Sequence, residues 1–125
     1  MKESIITEQN IKLLVDKFYS KVRLDPKLQP IFSDAIEKEH STWDIHLKRM
    51  YAFWSSIMLG SKSYKGTPLQ KHRDLPAFDQ KLFDRWLELF ADTSKELYAT
   101  EIAEQYISTS SRIAKSLQYG IYGAL

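Results

Sequence analysis

The residues able to do chemistry in this chain are few. Its three histidines are His40, His46 and His72, and it contains no cysteine. The missing thiols exclude disulfides and thiolate metal sites, and they fit a reducing compartment. A zinc site needs several histidine, cysteine or carboxylate ligands converging on one ion. His46 and His72 fall on different predicted elements, with no carboxylate beside either on a helix face, so a site for a bare metal ion is poorly supported. There is no glycine-rich phosphate loop, no Gly-x-Ser-x-Gly elbow and no His-Glu-x-x-His helix. No two acidic residues share an apolar face in the manner of a general acid–base pair.

A single histidine does suffice for one kind of site. A haem brings four nitrogens of its own and asks the protein for one axial donor. His72 lies in the short segment from Leu69 to Leu75, held between Pro68 and Pro76, and those prolines limit where the segment can go. The plainer reading, a solvated loop histidine between Lys71 and Arg73, is the commoner one for such a local sequence. His46 begins a helical face that continues with Met50, Phe53 and Ile57 at steps of four, three and four. That face either covers a flat apolar ligand or places His46 at the rim of the core. Tyr19, beside Phe18, and Trp86 are aromatic residues on apolar stripes, each with one polar hydrogen to place. Each either bonds within the core or donates to a bound small ligand. Arg49, one turn from His46, is a solvated cation or the partner of an acidic group at a cavity edge. His40 sits in a polar stretch and reads as solvated.

These residues must be held by helices. The spacing of Ile11, Leu14, Val15, Phe18, Tyr19 and Val22 predicts a helix from Thr7, its N-cap, to Leu24, ended by Asp25-Pro26. A short piece is expected at Pro30-Ile31-Phe32, followed by a polar loop. A second long helix is expected from an N-cap at Ser41, with Asp44 completing a capping box, to Gly60. The connection from Ser61 to Asp79 has room for about two turns of helix around Leu69 to Arg73 and is long enough to suggest a functional loop. Asp79 is expected to cap a third long helix running to Leu97. Thr100 is expected to cap a fourth ending at Gly120. No stretch alternates long enough for a strand, so the class is all-α.

The 125 residues suit one domain, read as 1–125. With 43% hydrophobic and 27% charged residues, the chain is expected to fold around one core. The 18 basic and 16 acidic residues are interspersed, which argues against a nucleic-acid footprint. Neither a membrane span nor a secretory leader is visible, so a cytoplasmic location is expected.

In order along the chain stand Phe18-Tyr19-Ser20-Lys21-Val22-Arg23, Leu28-Gln29-Pro30-Ile31-Phe32, Trp43, His46, Phe53-Trp54 and Leu59-Gly60. Then come Tyr64, Gly66, Pro68, His72-Arg73-Asp74-Leu75-Pro76, Phe83 and Trp86-Leu87-Glu88-Leu89-Phe90. No one piece is diagnostic, but the ordered set resembles the third group of truncated haemoglobins over nearly all of Phe18 to Phe90. The glycine pairs of the other two groups are missing, which fits the third.

The resemblance implies a globin-like two-over-two helical sandwich around haem b. It makes His72 the proximal iron ligand and Tyr19, His46 and Trp86 the polar residues of the distal side. Phe32, Met50, Phe53 and Trp54 would line the pocket, with Arg49 at its edge. Met50 stands where the family more often has a branched aliphatic residue. Dioxygen, nitric oxide or another diatomic ligand would bind a five-coordinate iron, and hydrogen bonds from Tyr19 and Trp86 would slow its release. Slow release favours nitric oxide oxidation or peroxidase-like turnover, with a reductase as partner, over oxygen transport. His46 would swing as a gate. The alternatives are an oxygen carrier or ligand sensor without turnover and, further off, a haem-free helical interaction module. A monomer or weak dimer is expected.

Overall fold

The computed structural model describes residues 2–38, 41–66, 68, 72 and 78–122. The predicted loop residue His40 and most of the predicted helix from Leu69 to Arg73, with Asp74, Leu75 and Pro76, lie outside them. Five helices have both ends among the described residues: α1 (Glu8–Leu24), α2 (Gln29–Lys38), α3 (Trp43–Leu59), α4 (Lys81–Leu97) and α5 (Thr100–Tyr122), while Pro68 and His72 also stand on helical backbone. The class is all-α, as expected. The one β-type contact among the described residues is an isolated bridge between Glu3 and Tyr98. None of the described helices is long and apolar enough to cross a membrane.

Helix α1 starts as its sequence dictates. The Thr7 hydroxyl accepts the Asn10 amide at 3.1 Å, and the Asn10 side chain accepts the Thr7 amide at 2.8 Å. This closes a capping box. Asp25 ends the helix in extended backbone ahead of Pro26.

Elsewhere the ends move. The expected short piece at Pro30 is a ten-residue helix, α2. Pro30 sits in its first turn, where an amide hydrogen has no intrahelical partner to lose. Ser33, Asp34 and Glu37 read as loop because they are polar, while Ile36 among them is buried. The cap of α3 is Thr42 rather than Ser41, its hydroxyl accepting the Ile45 amide at 3.3 Å. The box with Asp44 is not formed. Gly60 ends α3 in the left-handed region at φ 67°. Asp79 stands one residue outside the N-cap of α4, which is Gln80, yet its carboxylate still accepts the Lys81 amide at 2.9 Å. Thr100 is the first residue of α5 rather than its cap, and α5 runs past Gly120 to Tyr122.

Helix α1 packs on both α3 and α4, and α4 packs on α5. The buried side of α1, from Ile11 to Val22, meets Trp54, Phe90, Tyr98 and Tyr106 in the main core. Phe90 is fully buried between two indoles. Its ring lies 5.2 Å from Trp86 at an interplanar angle of 4° and 4.9 Å from Trp54 at 15°. Each such side chain contributes about 1.5–3 kcal/mol by leaving water. The buried hydroxyl of Tyr98 is satisfied: it donates to the Asn10 side chain at 2.7 Å and lies 3.2 Å from the Tyr106 hydroxyl. A second apolar cluster, built on Phe83, Ala114 and Leu117, joins the start of α4 to the second half of α5.

Candidate functional site

The two clusters do not close on each other. Between them lies a cavity of about 210 Å³ that opens to solvent. Its walls draw on every helix and on the described part of the connection between α3 and α4.

One wall carries His72, on helical backbone one turn after Pro68. The His72 Nδ1 lies 2.7 Å from the Pro68 carbonyl oxygen, four residues earlier. A carbonyl oxygen can only accept, so Nδ1 carries the hydrogen and Nε2 keeps its lone pair. The ring is braced by Phe83, at a centroid distance of 6.3 Å and an interplanar angle of 29°. A neutral imidazole oriented through its second nitrogen is the form a metal ligand takes.

The cavity also receives the polar aromatic residues. Tyr19 comes from the middle of α1, is 4% exposed and lines the cavity. Burial pushes its phenol well above the ordinary value, so the hydroxyl stays protonated and can donate. His46 stands edge-on to Tyr19, with centroids 4.9 Å apart and planes at 89°. Phe32 and Trp43, each 5.9 Å away, flank it. Trp86, from α4, lies edge-to-face with Phe18 at 5.4 Å and presents a ring that lines the same cavity.

Nine residues singled out in the sequence border this one cavity: Tyr19, Phe32, His46, Arg49, Met50, Phe53, Trp54, His72 and Trp86, whereas Ile57, expected on the face of His46, is exposed outside it. Sequence reasoning missed Leu28, Ile31 and Ile36 from α2 and its approach, Tyr64, and the α5 residues Ile113, Ala114 and Leu117. The α5 positions were visible as part of an apolar stripe. Nothing in a stripe tells a residue that faces a cavity from one that faces a closed core.

Tyr64 is set with care. Its amide donates to the Ser56 hydroxyl at 2.8 Å, and its ring meets Phe53 edge-to-face at 5.2 Å. Ser55 fixes the turn before it, through the Ser61 hydroxyl at 2.7 Å and the Glu8 carboxylate. A Cβ on Gly66 would stand 2.8 Å from the Tyr64 hydroxyl, so any larger residue there requires the Tyr64 ring to shift.

The site suits a flat apolar group that carries its own metal. Among the described residues no three His, Cys, Asp or Glu side chains gather to hold a bare ion. What lines the cavity instead is one imidazole, apolar side chains, and two residues, Tyr19 and Trp86, that each carry one polar hydrogen.

Comparison with known proteins bears on this arrangement. The family model of the bacterial-like globins matches residues 2–118. Over 122 residues the chain is 37% identical to a group 3 truncated haemoglobin of Campylobacter jejuni, with 98% of this chain and 96% of that protein covered. The crystal structure of the group III truncated haemoglobin from Campylobacter jejuni matches the fold with a TM-score of 0.90, at 37% identity and the same coverage.

Proposed function

The chain belongs to the bacterial-like globin family, a class of haem proteins that bind small ligands. From that premise we propose that it forms one truncated globin domain around haem b, held through His72, and that it consumes nitric oxide or peroxide rather than transporting oxygen. Bound in the cavity, haem supplies an iron centre at which dioxygen or another diatomic ligand is held and reduced or transferred.

The chain's own residues then have defined tasks. His72 offers Nε2, with its Nδ1–H tied to Pro68 so that the ring cannot turn away. Phe32, Met50, Phe53 and Trp54 exclude water. Arg49, at the cavity, pairs with a propionate. Tyr19 Oη and Trp86 Nε1 donate to a negatively polarised ligand, and His46, edge-on to Tyr19, gates access to it.

The observation that carries the detoxification reading is the pairing of donors. Tyr19 from α1 and Trp86 from α4, each with one polar hydrogen, line a largely apolar cavity. Each hydrogen bond contributes about 1 kcal/mol, so two of them slow ligand release by roughly an order of magnitude or more. A tightly held ligand favours reaction over delivery. Turnover needs an electron donor, and we assign that role to a cytoplasmic reductase acting on a monomer or weak dimer.

The test is to mix the oxygenated protein with nitric oxide and count nitrate. One nitrate per haem, repeated over many cycles when a reductant is supplied, is expected. Oxygen released unreacted, with no nitrate formed, would return the protein to the class of carriers or sensors.

A further inference from the structure

Helices α1 and α4 run against each other and are tied by ion pairs at both ends of their contact. At the outer end Glu96 of α4 accepts from Lys17 at 3.0 Å and Lys21 at 2.8 Å, with its side chain 44% exposed. At the cavity end the tie is of another kind. Asp25 is 5% exposed. Its Oδ2 accepts from Arg85 Nε at 2.7 Å, and its Oδ1 accepts the Lys27 amide at 3.0 Å. Its backbone is held as well: its amide donates to Val22 and its carbonyl accepts from Gln29. Arg85 precedes Trp86 in the chain.

These facts have an energetic asymmetry. A half-exposed pair is screened and contributes little, so that end is held by the packing of Phe90, Thr93 and Ser94 rather than by its ion pairs. Asp25, the buried partner of Arg85, loses more when its cation is withdrawn, and the same guanidinium is steadied from its own helix by Glu88, which accepts from Nη1 at 2.7 Å. Three bonds independent of Arg85, to Val22, Lys27 and Gln29, hold Asp25 at the corner between α1 and α2. Arg85 is thereby held at a fixed place against the end of α1, and Trp86 follows.

We propose that Asp25 is a positioning residue for the indole of Trp86, acting through Arg85 to set the separation of the Trp86 and Tyr19 donors across the cavity. The inference rests on the reading of Trp86 as a donor to the bound ligand. Asp25 touches neither haem nor ligand. It sets where one of the two donors stands.

The experiment uses the haem-loaded protein with carbon monoxide as probe, read by the C–O stretching frequency, together with the oxygen dissociation rate. Asp25→Asn keeps an acceptor for the Lys27 amide and removes the charge that ties Arg85 to the end of α1, leaving only the Glu88 pair within α4. It is expected to shift the stretch in the direction of Trp86→Phe and to speed oxygen release about fivefold, the equivalent of one neutral hydrogen bond. Adding Trp86→Phe to Asp25→Asn is expected to change little more, because both remove the same interaction. Arg85→Lys, which keeps the charge without the fork, is expected to act in the same direction to a smaller extent and serves if Asp25→Asn folds poorly. Glu96→Gln, at the far end of the same helix pair, is expected to leave both readouts unmoved. If Asp25→Asn and Arg85→Lys lower stability but leave stretch and rate at the wild-type values while Trp86→Phe moves them, the positioning role is wrong and the donor role survives. If Trp86→Phe alone moves neither, the donor reading and this inference fall together.

Discussion

His72 donates its Nδ1 hydrogen to the carbonyl of Pro68, 2.7 Å away and one helical turn back. The bond fixes the tautomer and the ring plane together, and it leaves Nε2 as the one basic atom of the ring. It also explains why a proline four residues before the histidine does no harm: Pro68 contributes its carbonyl and needs no amide hydrogen there.

The first expectation follows from that geometry. His72→Ala should purify with little haem, and what binds should have a shifted Soret band. Adding free imidazole should restore much of the wild-type spectrum by entering the space left behind. The measurement is an absorption titration with haem, with and without imidazole.

Tyr19→Phe removes a hydroxyl from the cavity without changing the packing of the ring against Phe18, Phe32 and Trp43. Oxygen should then leave about five to ten times faster, as expected for the loss of one donor. Stopped-flow replacement of oxygen by carbon monoxide measures it. An unchanged rate would remove Tyr19 from the site chemistry.

Phe90 is the middle ring of the stack with Trp86 and Trp54, and it is fully buried. Phe90→Ala should cost about 3–5 kcal/mol, from lost burial and the cavity left between two indoles. Urea unfolding followed by tryptophan emission reads both the midpoint and the changed environment of the indoles.

The two described loop glycines should behave differently. Gly60 has φ 67° and open space where a Cβ would go, so Gly60→Ala should cost about 1 kcal/mol of conformational strain and leave the haem spectrum alone. At Gly66 the added Cβ meets the Tyr64 hydroxyl at 2.8 Å. Gly66→Ala should displace Tyr64 from the cavity wall and disturb the haem spectrum more than it disturbs the unfolding midpoint.

Burial works to raise the pKa of Asp25, but the Lys27 amide and the Arg85 guanidinium outweigh it and hold the carboxyl below its ordinary value. A carboxylate whose folded pKa is depressed stabilises the native state above its unfolded pKa of about 4, and that contribution is lost as pH falls through the folded value. The stability gap between wild type and Asp25→Asn should therefore be full at neutral pH and narrow below about pH 4. Urea midpoints at a series of pH values measure the gap.

The sequence read alone carries a good deal of this. The stripe from Ile11 to Val22 dictates α1, because six apolar positions at helical spacing have no other way to leave water together. Thr7, Asp25-Pro26 and Gly60 mark ends by local backbone chemistry, which needs no knowledge of the rest of the chain. Where the polar face of a helix dominated, as in α2, the same reasoning stopped short. Caps slipped by a residue where Ser41 and Thr42, or Asp79 and Gln80, offered neighbouring solutions of similar energy.

Periodicity states which face of a helix is apolar, and residue chemistry states that an imidazole, a phenol and an indole are available. Neither says which faces meet. That Tyr19, His46, His72 and Trp86 line one cavity, and that Asp25 reaches Arg85 across 60 residues of chain, follows from the packing of all the helices at once. The reason is physical. A cap or a turn is decided by energies within a few residues, whereas a cavity exists only where two cores fail to close, which is a property of the whole fold.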